Sequence, residues 1–456
     1  MTVAMVVSEM EPFAKTGGLA DVAGALPLAL GRLGVQVHVI VPRYSVVQEK
    51  QPQVKISEGV EVHFIDHEDY FQRIGLYGGS NGDYPDNLDR FSFFCRQSLS
   101  LLKEKGIRPD ILHAHDWQAA LSIVYQKSVF QKDPFFARMR SVFTIHNLAY
   151  QGLFPKDQYP RCGLPWELFH IDGLEYYDKV NLLKGGLVFA DRLTTVSPTY
   201  AREIQIPDQG EGLEGVLRFR SKDLLGILNG IDQDLWNPAT DRALGHRFDS
   251  KRLAGKAKNK EALQKEMKLP VSSKIPLMGM VTRLASQKGL DLVVQALPGL
   301  SPLGVQLVVL GSGDRPIEQA LESAAKNSST VRVHLGFDAN LARRIYAGSD
   351  LFLMPSRYEP CGLGQMIAMR YGAVPLVRST GGLADTVRED GLEGNGFCFR
   401  PYDSQAFLQA VQRAVGFYRA SGRWKVVQLR GMTTDFSWRR SAREYLRLYE
   451  KISYKD

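Results

Sequence analysis

Short apolar runs and longer amphipathic segments alternate along most of this chain. In the first half, Ala4–Val7, Gln36–Pro42, Ile111–His115 and Ser141–Ile145 have the length and near-continuous hydrophobicity of strands buried on both faces. Between them, Val22–Leu33 and Ala119–Phe130 repeat apolar residues at helical spacing. In the second half, Pro276–Thr282, Gln306–Gly311, Val331–Leu335, Leu351–Pro355 and Val374–Arg378 read as strands. Helices are predicted at Leu290–Leu297, Pro316–Lys326, Ala339–Ala347 and Leu363–Tyr371. Such alternation predicts an α/β class with parallel sheets covered by helices, where ligands gather at the carboxyl ends of strands. Asn229-Gly230 and Asn237-Pro238 punctuate a seam between the halves, and Trp438–Ile452 predicts a separate amphipathic helix.

Polar motifs fall where those strands end. Thr16-Gly17-Gly18-Leu19-Ala20-Asp21 recurs as Thr380-Gly381-Gly382-Leu383-Ala384-Asp385, each copy leading into a helix. A glycine loop admits a bulky ligand to the backbone, and free N–H groups at a helix start attract anions. Lys15 adds a cation before the first copy. In His113-Ala114-His115-Asp116-Trp117, alternation puts both histidines on one face, a spacing open to metal ligation or to structural hydrogen bonding. No further ligand is evident nearby, and Asp116, beyond the strand end, is the better functional candidate. His146-Asn147 follows another strand. Arg283 and Lys288, five residues apart before a helix, are suited to gripping a diphosphate. Gly311-Ser312-Gly313-Asp314 forms a tight turn but not a GxGxxG fingerprint. Glu359-Pro360-Cys361-Gly362-Leu363 places a carboxylate at the entrance to an apolar helix, and Cys361 lacks the partners of a cysteine hydrolase.

Composition narrows the classes. A chain of 456 residues has room for two large domains, and no apolar run approaches the ~18 residues of a membrane span. The net charge of +8 is spread among acidic residues, so a mildly basic enzyme with an anionic substrate is expected rather than a nucleic-acid or membrane binder. The run Lys251–Lys268 is expected to form a solvated helix face. Cys95, Cys162, Cys361 and Cys398 show no disulfide or metal spacing, and no signal-like leader precedes the first strand; both suit the cytoplasm.

The ordered set of motifs resembles bacterial glycogen synthases and plant starch synthases. It comprises Ser8-Glu9-Met10, Lys15–Val22, His113–Trp117, His146–Gly152, Val196–Ala201, Leu228–Asp232, Arg283–Lys288 and Glu359–Leu363, running from about residue 3 to 445. The resemblance implies a GT-B fold, two Rossmann-like doubly wound domains facing across a deep cleft, with a C-terminal helix crossing back to the N-terminal domain. The expected parts are an acceptor-binding domain over 1–238, a nucleotide-sugar domain over 239–437 and the returning helix over 438–456. It implies transfer of glucose from ADP-glucose, or UDP-glucose, to the non-reducing end of glycogen or another α-1,4-glucan, with retention.

On that resemblance Arg283 and Lys288 stabilise the departing diphosphate, aided by Lys15, the Gly17-Gly18 loop and the N–H groups near Gly362, Leu363 and Gly364. Fixed cations would do the work of a divalent metal, so neither metal nor cofactor is expected. Glu359 holds glucose hydroxyls; His146, with Asn147, and Asn229 contact the sugar; Asp116 sits near the acceptor; Phe337 lies against the base; and Cys361 lines the donor site. Retention is open to a carboxylate nucleophile, with Asp21, Asp116 and Glu359 as candidates, or to front-face substitution, the family's usual route. Two positions depart from wider patterns: Ile367 replaces a second glutamate, and Gly364 stands where many relatives have threonine. The rivals are a small-acceptor GT-B transferase, a non-catalytic glucan-binding protein, and a nicotinamide dehydrogenase disfavoured by the missing fingerprint.

Overall fold

In a computed structural model, which describes residues 1–79, 82–391 and 393–453, the chain forms two compact units. The first unites residues 1–230 with the helix Trp438–Ser453, and the second spans Ile231–Ser437. Residues 454–456, expected within the returning segment, lie outside the described residues.

The first unit is built on eight strands in the order Leu224–Gly226, Arg192–Thr195, Arg140–Ile145, Ile111–His115, Thr2–Val6, Gln36–Pro42, Val60–Ile65 and Gln53–Ser57. All neighbours are parallel except the last pair, a hairpin at the edge. Thr2–Val6 is almost wholly buried, which explains its apolar run; Ile111–His115 is wholly buried too, with two histidines among its apolar residues. One face packs under the helices Gly18–Gly31 and Trp438–Ser453, joining Val3, Met5, Leu26, Val39, Tyr445 and Tyr449 in one core. The returning helix buries Trp438, Ala442, Tyr445, Leu448, Tyr449 and Ile452, a stripe at the 3.6-residue period. The strand order reverses between Thr2–Val6 and Ile111–His115, so the ligand crevice of a doubly wound sheet opens at their carboxyl ends.

The second unit has six parallel strands in the order Val331–Leu335, Gln306–Gly311, Leu277–Val281, Leu351–Met354, Val374–Arg378 and Phe397–Phe399. In chain order this is the Rossmann arrangement, with its switch point between Leu277–Val281 and Leu351–Met354. Helices such as Leu290–Leu300 and Ser404–Arg419 bury Leu292, Val293, Phe407 and Val411 against it.

Two expectations need correction. Residues 231–238, assigned to the first half from sequence, belong to the second unit. Ile231 N–H donates to Phe436 O at 2.8 Å, and Trp236 packs edge-on to Tyr346 and Tyr371 beneath the Arg343 guanidinium. The charged run also does more than face solvent. Its helix Ala254–Glu266 buries Lys256, whose Nζ donates to the carbonyls of Ala347, Ser349 and Tyr371 at 2.9–3.0 Å, and Lys260, paired with Asp350 at 2.7 Å. Among the described residues no helix is long and apolar enough to cross a membrane.

Candidate functional site

The loop after Thr2–Val6 runs to the helix Gly18–Gly31 and is folded around a carboxylate that sequence reasoning did not single out as functional. Glu9 Oε2 accepts from Thr16 N–H, from Thr16 Oγ1 at 2.9 Å and from Gly17 N–H at 3.2 Å. Burial raises its carboxyl above the ordinary range against these bonds. Its signals in the sequence are its position just beyond the first strand and its place in the motif Ser8-Glu9-Met10. The loop so held leaves Gly17 and Gly18 open: a Cβ at Gly18 meets nothing within 4 Å, and one at Gly17 only Glu9 Oε1 at 3.9 Å. Lys15 is half-exposed, 2.6 Å from Asp21 Oδ1 and 3.7 Å from Glu11 Oε2. Asp21, a candidate nucleophile from sequence, is therefore engaged in positioning Lys15.

On the other side of the switch point, Asp116 opens the helix Asp116–Lys127 with φ +56°, a left-handed conformation uncommon outside glycine. Its Oδ1 accepts from His146 N–H at 2.7 Å, which joins the ends of two neighbouring strands. Burial pushes the Asp116 carboxyl up to about 7, with Glu9 adding like charge. His115 Nδ1 lies 2.9 Å from His146 Nε2, and burial holds His146 down to about 3, neutral at physiological pH. His113 shares its face with His115, yet both its nitrogens are engaged, Nδ1 with Tyr449 OH at 2.7 Å and Nε2 with Thr144 Oγ1 at 2.6 Å. The histidine pair thus serves hydrogen bonding, and His113 has no lone pair left for a metal. Asn147 Oδ1 accepts from Ala149 N–H at 3.1 Å, whereas the buried Oδ1 of Asn229 has no partner among the described residues.

In the second unit the two strands at the switch point each contribute one charge. Lys288, following Leu277–Val281, lies 2.7 Å from Glu359 Oε2, which follows Leu351–Met354. Ser356 Oγ donates to the same oxygen at 3.0 Å, and the Glu359 side chain is only 7% exposed. An ammonium has three donors, so Lys288 keeps capacity for a second anion. Arg283 is exposed and its guanidinium makes no ion pair among the described residues. Gly362 has φ +71° and leads through Leu363 into the helix Gly364–Arg370; Cys361 is buried beside it. A side chain at 364 would meet Phe352 at 3.2 Å and Met354 at 3.3 Å, so a larger residue there would require these neighbours to shift by a few tenths of an ångström. Phe337 is 93% exposed.

The two copies of the hexapeptide part company here. Gly381 has φ +46°, and a Cβ on it would overlap the carbonyl oxygen of Glu359; one on Gly382 would overlap that of Cys361. Gly382 N–H also donates to Glu359 O at 3.1 Å. The second copy is packed as a buried brace behind the Glu359–Cys361 loop, whereas the first leaves open space around its glycines.

Residues 2–219 match the family described as the starch synthase catalytic domain, and residues 262–416 the family described as glycosyl transferases group 1. The chain is 50% identical to a glycogen synthase of Syntrophotalea carbinolica, covering 99% of each chain. It is similar, at TM-score 0.91 and 39% identity, to the catalytic domain of Starch Synthase IV from Arabidopsis thaliana bound to ADP and acarbose, covering 100% of this chain and 99% of that one. It shares its fold with sucrose-phosphate synthase from Thermosynechococcus elongatus, at TM-score 0.64 and 17% identity over 99% and 98% of the two chains.

Proposed function

The chain belongs to the glycogen and starch synthase family of GT-B glycosyltransferases, and we propose that it transfers glucose from ADP-glucose to the non-reducing end of an α-1,4-glucan with retention. The observation that carries this reading is the Lys288–Glu359 pair at the switch point of the second sheet. As the bond from the anomeric carbon to the diphosphate breaks, negative charge grows on phosphate oxygens. Lys288 and Arg283 offer fixed cations to that charge, which stabilises the transition state more than the ground state. Glu359, held by Lys288 and Ser356, accepts from glucose hydroxyls; that engagement supports a binding role over nucleophilic attack. In the front-face course it supports, the leaving phosphate takes the proton of the attacking acceptor hydroxyl. Cys361, Gly362, Leu363 and Gly364 line the donor, and exposed Phe337 offers a ring to the base.

In the first unit, Lys15 presents a cation and Gly18 a backbone N–H to phosphate, while the glycines leave the loop open to its approach and the Gly17 N–H stays on Glu9. Neutral His146, Asn147 and the unpartnered Asn229 oxygen suit sugar hydroxyls, with Asp116 holding the His146 backbone in place. The ADP carried by the Arabidopsis relative supports an adenine nucleotide donor. The test is incorporation of labelled glucose from ADP-glucose and UDP-glucose into a glycogen primer, with EDTA present. The expected result is transfer from ADP-glucose at the higher rate, EDTA having no effect, into product that an α-1,4-specific amylase digests. Lys288→Ala should lower kcat about 10²–10³-fold, the cost of one lost oxyanion-stabilising group. Transfer from UDP-glucose at the higher rate would reassign the donor, and none from either to folded protein would overturn the reading.

A further inference from the structure

The first sheet carries a second polar cluster, at the amino-terminal half of a strand whose carboxyl end points toward the site. On the neighbouring parallel strands Gln36–Pro42 and Val60–Ile65, His38 stands in register with Glu61, and His63 follows Glu61 by two residues on the same face. His38 Nδ1 lies 3.0 Å from His63 Nε2, and Glu61 Oε2 lies 3.5 Å from each of these nitrogens. His63 is fully buried, while His38 and Glu61 keep 20% and 29% of their side chains exposed, which gives a path from solvent. The other nitrogen of His63 has no hydrogen-bond partner among the described residues. No other group of three His, Cys, Asp or Glu side chains among the described residues brings its ligand atoms within this range.

We propose that His38, Glu61 and His63 bind one divalent transition-metal ion, with Zn2+ the reference case. The three atoms form a triangle whose equidistant point lies about 1.9 Å from each, just short of Zn–N and Zn–O bonds of about 2.0–2.2 Å. An ion therefore sits under about 1 Å from their plane with every side chain where it already is, leaving a position for water. Two imidazoles and a carboxylate favour Zn2+ and its neighbours over Mg2+ and Ca2+, which prefer oxygen ligands. Burial lowers both imidazoles, so each carries a lone pair at neutral pH. One charge opposes the ion: Lys105, held on Gln53 Oε1, is close enough to act on His63. Bound there, the ion staples the strand Val60–Ile65 to its inner neighbour and takes no part in glucosyl transfer.

The full chain, stripped with chelator and desalted, is titrated with Zn2+, and Co2+ serves as the spectroscopic probe. Expected are about one equivalent of Zn2+ retained after desalting, visible Co2+ bands that Zn2+ abolishes, and a melting temperature raised by several degrees. His38→Gln and Glu61→Gln, both at partly exposed positions, should keep the wild-type circular dichroism and transferase activity but lose the ion and its thermal shift. No retention at low micromolar Zn2+, or equal retention in both variants, overturns the site.

Discussion

The same six residues occur twice in this chain, and alanine should be tolerated in one copy and not in the other. At Gly18 a methyl group enters open space at the first residue of a helix, and at Gly17 it reaches only a carboxylate oxygen at 3.9 Å. Alanine relieves backbone entropy, so these changes should shift stability by no more than about 1 kcal/mol, in either direction. At Gly381 the residue sits at φ +46°, which costs an L side chain about 1–2 kcal/mol, and the methyl overlaps a peptide oxygen that cannot swing away. Gly382 lacks the strained φ but meets the Cys361 carbonyl as closely. Relief requires moving the backbone that carries Glu359, so Gly382→Ala or Gly381→Ala should cost at least about 3 kcal/mol. For a unit of this size, 1 kcal/mol is about 2–4 °C, so the affected transition should fall by about 6–12 °C. Scanning calorimetry of the full chain reads this directly. A Gly18→Ala variant that melts as low as Gly382→Ala, or a Gly382→Ala variant that melts like the parent, would refute the assignment of open space to the first copy and bracing to the second.

Asp116 gives a pH-dependent signature. Its carboxyl rises from 3.8 unfolded to about 7 folded, so the folded state holds this proton more tightly. Its stabilising contribution is complete below about pH 4 and is lost as pH rises through about 7. The urea midpoint of Asp116→Asn, relative to wild type, should therefore climb between those limits and level off; a constant difference would exclude the shift. His113 and His146, each held near 3, act oppositely, losing stability as pH falls below 6.5, and being common to both proteins they cancel in the comparison. Tyr449→Phe removes the partner of buried His113 Nδ1 and should cost about 1–3 kcal/mol in thermal unfolding without changing donor preference; an unchanged melting temperature would show that the bond contributes nothing.

Much of the sheet framework is legible because the inner strands are buried on both faces and read as short, mainly apolar runs, while the edge strand Val331–Leu335 shows as a β-branched alternation. Gln36–Pro42, Ile111–His115, Gln306–Gly311, Val331–Leu335 and Val374–Arg378 have the bounds read from sequence. Leu224–Gly226 and Phe397–Phe399 are too short to display a period, whereas Val60–Ile65 alternates polar and apolar residues just as Val331–Leu335 does, and no physical difference in pattern separates the two. Among site residues, Lys288 and Glu359 could be named from spacing, but their direct pairing depends on two strands becoming neighbours far apart in sequence. The Ser8-Glu9-Met10 motif does not reveal what Glu9 does, because its partners, Thr16 and Gly17, reach it only when the loop folds back. Lys256 and Lys260 misled in the opposite sense, since a lysine satisfied by buried carbonyls looks in sequence like any surface lysine.

The returning helix sets an order of events during synthesis. Trp438, Tyr445, Leu448 and Tyr449 complete the core over Val3, Met5 and Val39, yet the ribosome delivers them only after the roughly two hundred residues of the second unit. At about 5–20 residues per second, the part of the first sheet's face covered by the returning helix, beside Gly18–Gly31, stays wet for about 10–40 s. During that interval the first unit is an apolar surface awaiting its cover, while the second, encoded as an insertion, can close on itself. The half made first is finished after the half made second, and the nascent chain needs protection over that face until the helix docks.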